Sequence, residues 1–310
     1  MKKCSFVAVF IMNMISAFTT KTGIFFLKFI AKLPFAVLYG ISDMLYFIIY
    51  RIIGYRKTVV ADNLKNAFPE KSNAEIKTIS KKFFRHLADL IVETIKMNSM
   101  SEKTFRERVV FKNTKIVNDY FDKGKSVVVL TMHFNNWEWS SCVALPVKHK
   151  VLGVYKPLHN KYFDEYLNNS RGKMGSVLVP NSQVLRTVIS HEHKKEPVFT
   201  WLAADQTPPA FHKFWLMFLN QETMFYPGPA SISKRFNHPV IFQKIEKTGR
   251  GKYVSQFELL FENPADKSET EIMKAYVRKM EEAIRKNPEH YLWSHRRWKH
   301  KRPDNTPLFT

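Results

Sequence analysis

The segment Val127-Val-Val-Leu-Thr-Met-His133-Phe-Asn-Asn-Trp-Glu138 decides the fold of this chain. Its first six residues are apolar or β-branched and predict a buried strand, which a histidine follows directly. A helix that begins near Asn136 would place Glu138 in its first turn. Because α/β proteins place their sites at the carboxyl ends of such strands, we expect the functional site here.

His133 and Glu138 are the candidate catalytic residues. Glu138 can reach back to His133, and a carboxylate there would fix the imidazole tautomer and stabilise the imidazolium form. Such a histidine can act as a general base that deprotonates an alcohol attacking a thioester. The same spacing to a carboxylate recurs at His159 and His191, so the strand context, and not the spacing, singles out His133. The alternative is a histidine that satisfies a helix cap.

Short apolar runs alternate with helical patterns through most of the chain after residue 70. This alternation predicts an α/β fold in which a mixed sheet is covered by helices. Strands are predicted over residues 109–111, 126–131, 150–155, 176–179 and 197–202, with a hairpin over 240–246 and 252–261. Helices are predicted over residues 72–98, 137–145, 160–173, 183–191 and 268–287, the first of them starting with the capping-box pair Ser72 and Glu75.

The first fifty-five residues are dense in apolar side chains. We expect an N-terminal apolar helix that anchors the protein to a membrane over residues 1–57, followed by one catalytic domain over residues 58–310. The anchor could be a single span or a helix in the interface plane. A cleaved signal peptide and a buried helical hairpin are the alternatives. The basic residues that follow the apolar region place the catalytic domain on the cytoplasmic side.

The formal net charge of +22 indicates an anionic partner. Nucleic-acid binding would rest on charge alone, because the chain has no finger, RGG or basic-heptad segment, and we do not expect it. A basic, membrane-tethered nucleic-acid-binding or scaffold protein is the alternative outside the enzymes. The two cysteines, Cys4 and Cys142, provide neither a disulfide framework nor a zinc cage. Cys142 is more simply a small buried hydrophobe than an acyl-enzyme nucleophile. We expect no metal and no organic cofactor.

From about residue 32 to residue 303 the chain resembles the late acyltransferases of lipid A biosynthesis, within the HxxxxD/E glycerolipid acyltransferase superfamily. His133-Phe-Asn-Asn-Trp-Glu138 is similar to the H-F-G-N-W-E box of that family, with Asn135 in place of the glycine. The other matching pieces are Leu33-Pro34, Tyr55-Arg56-Lys57, Asn63-Leu-Lys-Asn-Ala-Phe-Pro-Glu70, Val154-Tyr-Lys-Pro-Leu-His-Asn160, Arg171, Asp205-Gln206, Phe225-Tyr-Pro-Gly-Pro-Ala230 and Trp293-Ser-His-Arg-Arg-Trp-Lys299.

The resemblance implies an O-acyltransferase whose catalytic domain lies on the cytoplasmic face of the bacterial inner membrane. It implies an acyl-carrier-protein thioester as donor and a hydroxyl of a lipid A precursor as acceptor, in secondary acylation during lipopolysaccharide biosynthesis. A sister enzyme that acts on a lysophospholipid, an ornithine lipid or another glycolipid would carry the same motif. Both proposed substrates are polyanions, which suits the basic composition.

The resemblance also indicates substrate-binding residues. Arg171 matches the arginine downstream of the Tyr-x-Pro segment and is a candidate ligand of an oxyanion or a phosphate. Simple strand-helix geometry conflicts with this role, because a helix over residues 160–170 would run away from the site. Asn136 and Lys156 are further candidates for substrate binding. Arg296 and Arg297 are cations that we expect near the acceptor.

Overall fold

The computed structural model describes the backbone of residues 6–309 and the side chains of residues 19–309. The strands are β1 (Val109–Lys112), β2 (Val127–Thr131), β3 (Lys150–Tyr155), β4 (Val177–Pro180), β5 (Val198–Ala203), β6 (Trp215–Phe218), β7 (Gln221–Met224), β8 (Val240–Gly249), β9 (Lys252–Phe261) and β10 (Leu308–Phe309). The α-helices are α1 (Phe6–Lys32), α2 (Phe35–Phe47), α3 (Lys57–Ala67), α4 (Asn73–Met97), α5 (Glu102–Arg108), α6 (Thr114–Asp122), α7 (Lys161–Gly172), α8 (Val184–His193), α9 (Gly228–Phe236) and α10 (Glu269–Lys286).

Seven strands form a mixed sheet in the order β1-β9-β8-β2-β5-β3-β4. The five strands from β8 to β4 are parallel, whereas β9 is antiparallel to β8. A smaller sheet has the order β10-β6-β7. The predicted α/β fold with a mixed sheet is therefore confirmed.

Strand β2 lies inside the sheet and is buried along its whole length. Successive side chains of a strand point to opposite faces. Val128 packs in one core cluster with Phe84 of α4 and Tyr276 of α10. Val129 packs in a second cluster with Val117 of α6. Helices therefore cover both faces, which explains why the strand is apolar without alternation.

The segment after β2 differs from its predicted α-helix. Residues Trp139–Ala144 form a short 3₁₀ turn instead. The side-chain oxygen of Asn136 accepts a hydrogen bond from the backbone N–H of Trp139, and the hydroxyl of Ser141 donates to the carbonyl of Glu138. Short polar side chains that bond the local backbone in this way compete with α-helix formation. By contrast, the predicted capping box of Ser72 and Glu75 is present at the start of α4.

The N-terminal helices leave many apolar side chains exposed. Helix α2 continues through a π-helical turn, Ile48–Ile53. Among the described residues, Phe35–Ile53 is the one helical stretch long and apolar enough to cross a membrane, with a mean hydropathy of 1.5. Residues 1–5, which begin the predicted anchor, lie outside the described residues. The domain division at residue 57 stays a prediction.

Candidate active site

The turn after β2 needs a residue with left-handed backbone at position 135. Asn135 has a φ of 53°, in the region where glycine is favoured and asparagine is tolerated. Its backbone N–H donates to the carbonyl of His290 at 2.9 Å, and its side-chain amide donates to the carbonyl of Ile245 at 2.8 Å. These bonds hold the turn against the segment that follows α10 and against β8. The geometry accounts for asparagine at the position where the similar box has glycine.

The carboxylate that contacts His133 is Asp205 and not Glu138. Nδ1 of His133 lies 2.7 Å from Oδ1 of Asp205, and the backbone N–H of His133 donates to Oδ2 at 3.0 Å. Asp205 comes two residues after β5, which pairs directly with β2, so that both side chains lie at the same edge of the sheet. The structure thus differs from the prediction that Glu138 orients the imidazole.

The electrostatics of the pair fix the form of the imidazole. Burial lowers the pKa of His133, but the charge and the hydrogen bond of Asp205 outweigh burial and raise that pKa above its ordinary value. Burial raises the pKa of Asp205, but the charge and hydrogen bonds of His133 outweigh it and hold that pKa below its ordinary value. An ionised carboxylate can only accept, so Nδ1 of the neutral imidazole carries the proton. Nε2 is then the basic atom.

Gln206 covers that basic atom. Its amide Nε2 lies 3.0 Å from Nε2 of His133. The side chain of His133 is about 20% exposed and Gln206 itself is exposed. A flexible, exposed amide is easily displaced. A substrate hydroxyl that replaces the amide would therefore meet the basic nitrogen directly.

Glu138 forms an ion pair with Arg171. Its two carboxylate oxygens accept hydrogen bonds from Nε and Nη2 of Arg171, at 2.8 and 2.7 Å. The indole N–H of Trp137 also donates to Glu138, at 3.2 Å, and the ring of Trp137 lies 5.1 Å from the ring of His133. The indole of Trp137 therefore contacts both the ion pair and the histidine.

One nitrogen of Arg171 stays available. Nη1 makes no hydrogen bond within the described part of the chain, and the side chain is about 23% exposed. A guanidinium held in a fixed plane by a carboxylate presents its remaining N–H groups in a defined direction. The structure thus brings Arg171 to the site despite the objection from simple strand-helix geometry.

The remaining candidate residues have different surroundings. Asn136 is buried, and its amide is occupied by Glu93 and Trp139 inside the protein, so it does not face the site in this structure. Lys156 is exposed just after β3. Arg296 is exposed, whereas Arg297 is only 2% exposed and packs 4.4 Å over the ring of Phe225.

Burial corrects the expectation that Arg297 contacts the acceptor. Its guanidinium lies behind the site, where its charge helps to lower the pKa of Asp205. The segment that carries it supports the loop after Asp205. The hydroxyl of Thr207 donates to the carbonyl of Arg297 at 2.8 Å, and the backbone N–H of Thr207 donates to the ring of His295 at 3.1 Å.

The positions of Asp205 and Gln206 at the site were not predicted from the sequence, although both belong to a piece that matches the family. A signal was present, because Asp205 follows the predicted strand 197–202 closely and so stands at the carboxyl edge. A polar pair at the ends of two parallel strands indicates a shared site once the strands are known to be neighbours. Only the structure shows that β2 and β5 are neighbours.

The arrangement combines an imidazole with a basic nitrogen, a carboxylate that orients it and a fixed guanidinium, a set of groups that can serve acyl transfer. The relatives found by comparison carry that activity in their names. The chain is 23% identical over 292 residues to the lipid A biosynthesis lauroyltransferase of Escherichia coli (strain K12), with 93% of each chain covered. It is 21% identical over 274 residues to the palmitoleoyltransferase of the same strain, covering 86% of this chain and 87% of that one, and equally to a lipid A biosynthesis acyltransferase of Shigella flexneri. Since residues 11–300 also match the family described as bacterial lipid A biosynthesis acyltransferase, this chain belongs to that family.

Proposed function

We propose that this protein transfers a fatty acyl chain from an acyl-carrier-protein thioester to a hydroxyl group of a lipid A precursor. The observation that carries the proposal is the His133–Asp205 pair, whose basic nitrogen is hydrogen-bonded, among the described residues, to the exposed amide of Gln206 alone. Membership of the lipid A acyltransferase family supports the acceptor class. The net charge of +22 supports both substrates, because a phosphorylated glycolipid and an acidic carrier protein are anions.

In the proposed reaction the acceptor hydroxyl displaces Gln206 from His133. Nε2 takes the hydroxyl proton while the oxygen attacks the thioester carbonyl carbon and forms a tetrahedral oxyanion. The oxyanion collapses and the carbon–sulfur bond breaks, after which Nε2 returns the proton to the leaving thiolate. The products are the ester and the free thiol of the carrier. Asp205 stays ionised throughout and stabilises the imidazolium.

Arg171 supplies the positive charge in this mechanism. Its free Nη1 is the donor that we assign to the oxyanion or to a phosphate of the acceptor. Glu138 holds the guanidinium in place, and its side-chain hydrogen bonds within the described residues go to Arg171 and Trp137 and not to His133. Asp205 takes the role that was predicted for Glu138, that of orienting the imidazole of His133.

We also propose that α1 and α2 rest in the membrane interface, with the catalytic domain on the cytoplasmic face of the inner membrane. The exposed apolar side chains Phe25, Phe26 and Phe29 supply the membrane contact. On the inner face of α2, Ser42 donates to Asp89 of α4 at 2.8 Å. A helix docked on the domain by such bonds suits an interfacial anchor better than a span through the bilayer core.

The test is acyl transfer by the purified protein, with an acyl-carrier-protein thioester as donor and the product followed by mass spectrometry. Loss of a general base typically costs about 10²–10⁴-fold in rate, and we expect His133→Ala to fall in this range. His191→Ala is the matched control, because His191 pairs with Glu196 at 2.8 Å with the same five-residue spacing but away from the sheet edge. Near wild-type turnover in His133→Ala would make the assignment wrong.

The acceptor class needs its own comparison. Lysophospholipid, ornithine lipid and a phosphate-free glycolipid are offered beside the lipid A precursor. Transfer to the lipid A precursor alone is the expected result. Transfer only to one of the others would keep the mechanism and replace the acceptor.

A further inference from the structure

Glu93 of α4 is a buried carboxylate that the proposed reaction does not use. It is about 1% exposed. Burial raises its pKa to about 7, although hydrogen bonds from two tyrosines oppose this shift. A buried carboxylate is costly unless its oxygens are satisfied, and this one is fully occupied. It accepts hydrogen bonds from Nδ2 of Asn136 at 2.6 Å, from the hydroxyl of Tyr253 at 2.7 Å and from the hydroxyl of Tyr39 at 2.9 Å.

The hydrogen bond between Glu93 and Asn136 is one of three that link Glu93, Asn136 and Trp139 in a ring. The side-chain oxygen of Asn136 accepts from the backbone N–H of Trp139 at 2.8 Å, and the indole N–H of Trp139 donates to the backbone carbonyl of Glu93 at 2.9 Å. Both ends of the Asn136 amide are therefore fixed, one to α4 and one to the start of the 3₁₀ turn. Asn136 stands three residues after His133 and two residues before Glu138.

We propose that Glu93 is a positioning residue that holds the turn between His133 and Glu138 in its active shape by binding Asn136. This inference rests on the proposed role of His133 as the base. A shift of the turn would alter the contact of His133 with Asp205 and that of Glu138 with Arg171 together. Catalytic groups must be held to within about 0.5 Å, and a misplacement of about 1 Å can cost roughly 10²-fold in rate.

Exchanging the carboxylate and the amide between positions 93 and 136 tests the proposal. Asn136→Asp keeps the acceptor for Trp139 but places a second carboxylate against Glu93, in a contact that is 2.6 Å in the native protein. Two carboxylates at that distance repel each other when both are ionised. Because each carboxylate raises the pKa of the other, a shared proton can hold the contact at low pH, and kcat of Asn136→Asp relative to the wild type should fall by roughly 10²-fold as the pH rises far enough to ionise both. Adding Glu93→Gln restores a contact in which an amide donates and a carboxylate accepts. The kcat of the double variant should therefore be at least about tenfold higher than that of Asn136→Asp, as expected for coupled neighbours.

The readouts separate positioning from mere folding. The fall should appear in kcat, and the KM for the donor should change little in the folded variants, because Asn136 does not face the site. The pH titration of the His133 ring, followed by NMR, should shift in the neutral Asn136→Ala as well as in Asn136→Asp and return in the double variant, so that an added charge alone does not explain the shift. Glu192→Gln is the matched control. Glu192 binds Ser126 at the opposite end of β2, at 2.9 Å, and its loss should leave kcat and the titration unchanged.

The outcomes are distinct. A double variant that folds but stays as inactive as Asn136→Asp overturns the inference. If His133→Ala keeps its activity, the proposed function fails, and the NMR titration still decides whether Glu93 positions the turn. If Asn136→Asp does not fold, the neutral Asn136→Ala replaces it. Wild-type kcat and an unshifted His133 titration in that variant would then refute the role of Glu93.

Discussion

Arg171 donates hydrogen bonds from Nε and Nη2 to the two carboxylate oxygens of Glu138, at 2.8 and 2.7 Å, across 33 residues of sequence. Burial raises the pKa of Glu138, but the hydrogen bond and charge of Arg171 outweigh it and lower that pKa. Both side chains therefore stay ionised. The bidentate contact fixes the plane of the guanidinium, which a single hydrogen bond would not do.

Substitution of Arg171 should impair the reaction even when charge is kept. Arg171→Lys cannot form both bonds to Glu138, so we expect a lower kcat/KM. Arg171→Ala leaves the largely buried carboxylate of Glu138 without its ion-pair partner and should lower stability, by at most the roughly 3–5 kcal/mol of a fully buried pair. The double variant Arg171→Met, Glu138→Gln should recover thermal stability but not activity, which separates the structural role of the pair from its catalytic role.

Steady-state kinetics on both substrates assign the role of Arg171. A fall in kcat with unchanged KM values indicates a contact with the oxyanion, whereas a raised acceptor KM alone indicates a contact with phosphate. Wild-type kinetics in Arg171→Ala would show that the guanidinium has neither role.

The position of Arg171 shows where simple topology rules stop. Because α7 follows β3, the rule for strand-helix units directs its last turn away from the carboxyl edge. This rule covers one strand and its own helix, and it does not include contacts with a segment that follows another strand. The 3₁₀ turn after β2 packs against α7, and Ser176, between α7 and β4, donates to the carbonyl of Ser141 at 2.7 Å. This packing brings Glu138 to Arg171. The similarity to the family anticipated that proximity.

The positions of several strands could be predicted from the sequence. The apolar run before His133 predicted β2, and the change of period predicted β3 at residues 150–155, as the structure has it. The contact between His133 and Asp205 was not readable, since it joins residues 72 positions apart and depends on β2 and β5 being neighbours. Periodicity reports the faces of a strand and not its partner.

Cys142 should be dispensable for catalysis. It lies in the 3₁₀ turn and is about 1% exposed, and burial raises the pKa of its thiol to about 12. The thiolate is the nucleophilic form of cysteine, so this side chain is inert at neutral pH. Cys142→Ala should keep most of its activity, and alkylating reagents should not inhibit the folded enzyme. A folded but inactive Cys142→Ala would point to an acyl-enzyme intermediate instead.

The apolar face of α1 should decide how firmly the protein holds to membranes. Phe25, Phe26 and Phe29 are 69%, 58% and 64% exposed. Replacing all three with serine removes apolar contact and leaves the basic surface, which contributes about 1 kcal/mol per charge near an anionic leaflet and is screened by salt. We expect high salt to release this variant from membranes but not the wild type.

The membrane test uses point substitutions in place of a deletion, and it has a matched control. Deleting residues 1–55 would also uncover α4, so point substitutions disturb the fold less. Leu185→Ser, at an exposed apolar position on α8, is the control and should bind as the wild type does. If the triple serine variant still resists extraction in high salt, another segment holds the protein to the membrane.

The pH dependence of the reaction should report the charge of Asp205. The base acts only when deprotonated, so wild-type kcat/KM falls as the pH drops through the raised pKa of His133. Asp205→Asn removes the charge that outweighs burial; the pKa of His133 then falls, and the acid limb of the profile moves to lower pH. The plateau should also drop by roughly 10²–10⁴-fold, because the imidazolium and its tautomer lose their stabilising partner. Profiles of kcat/KM between about pH 5 and pH 9 check both effects, with Glu196→Gln as the control that alters the remote His191 pair. An acid limb that stays in place in Asp205→Asn would show that another group sets the pKa of the base.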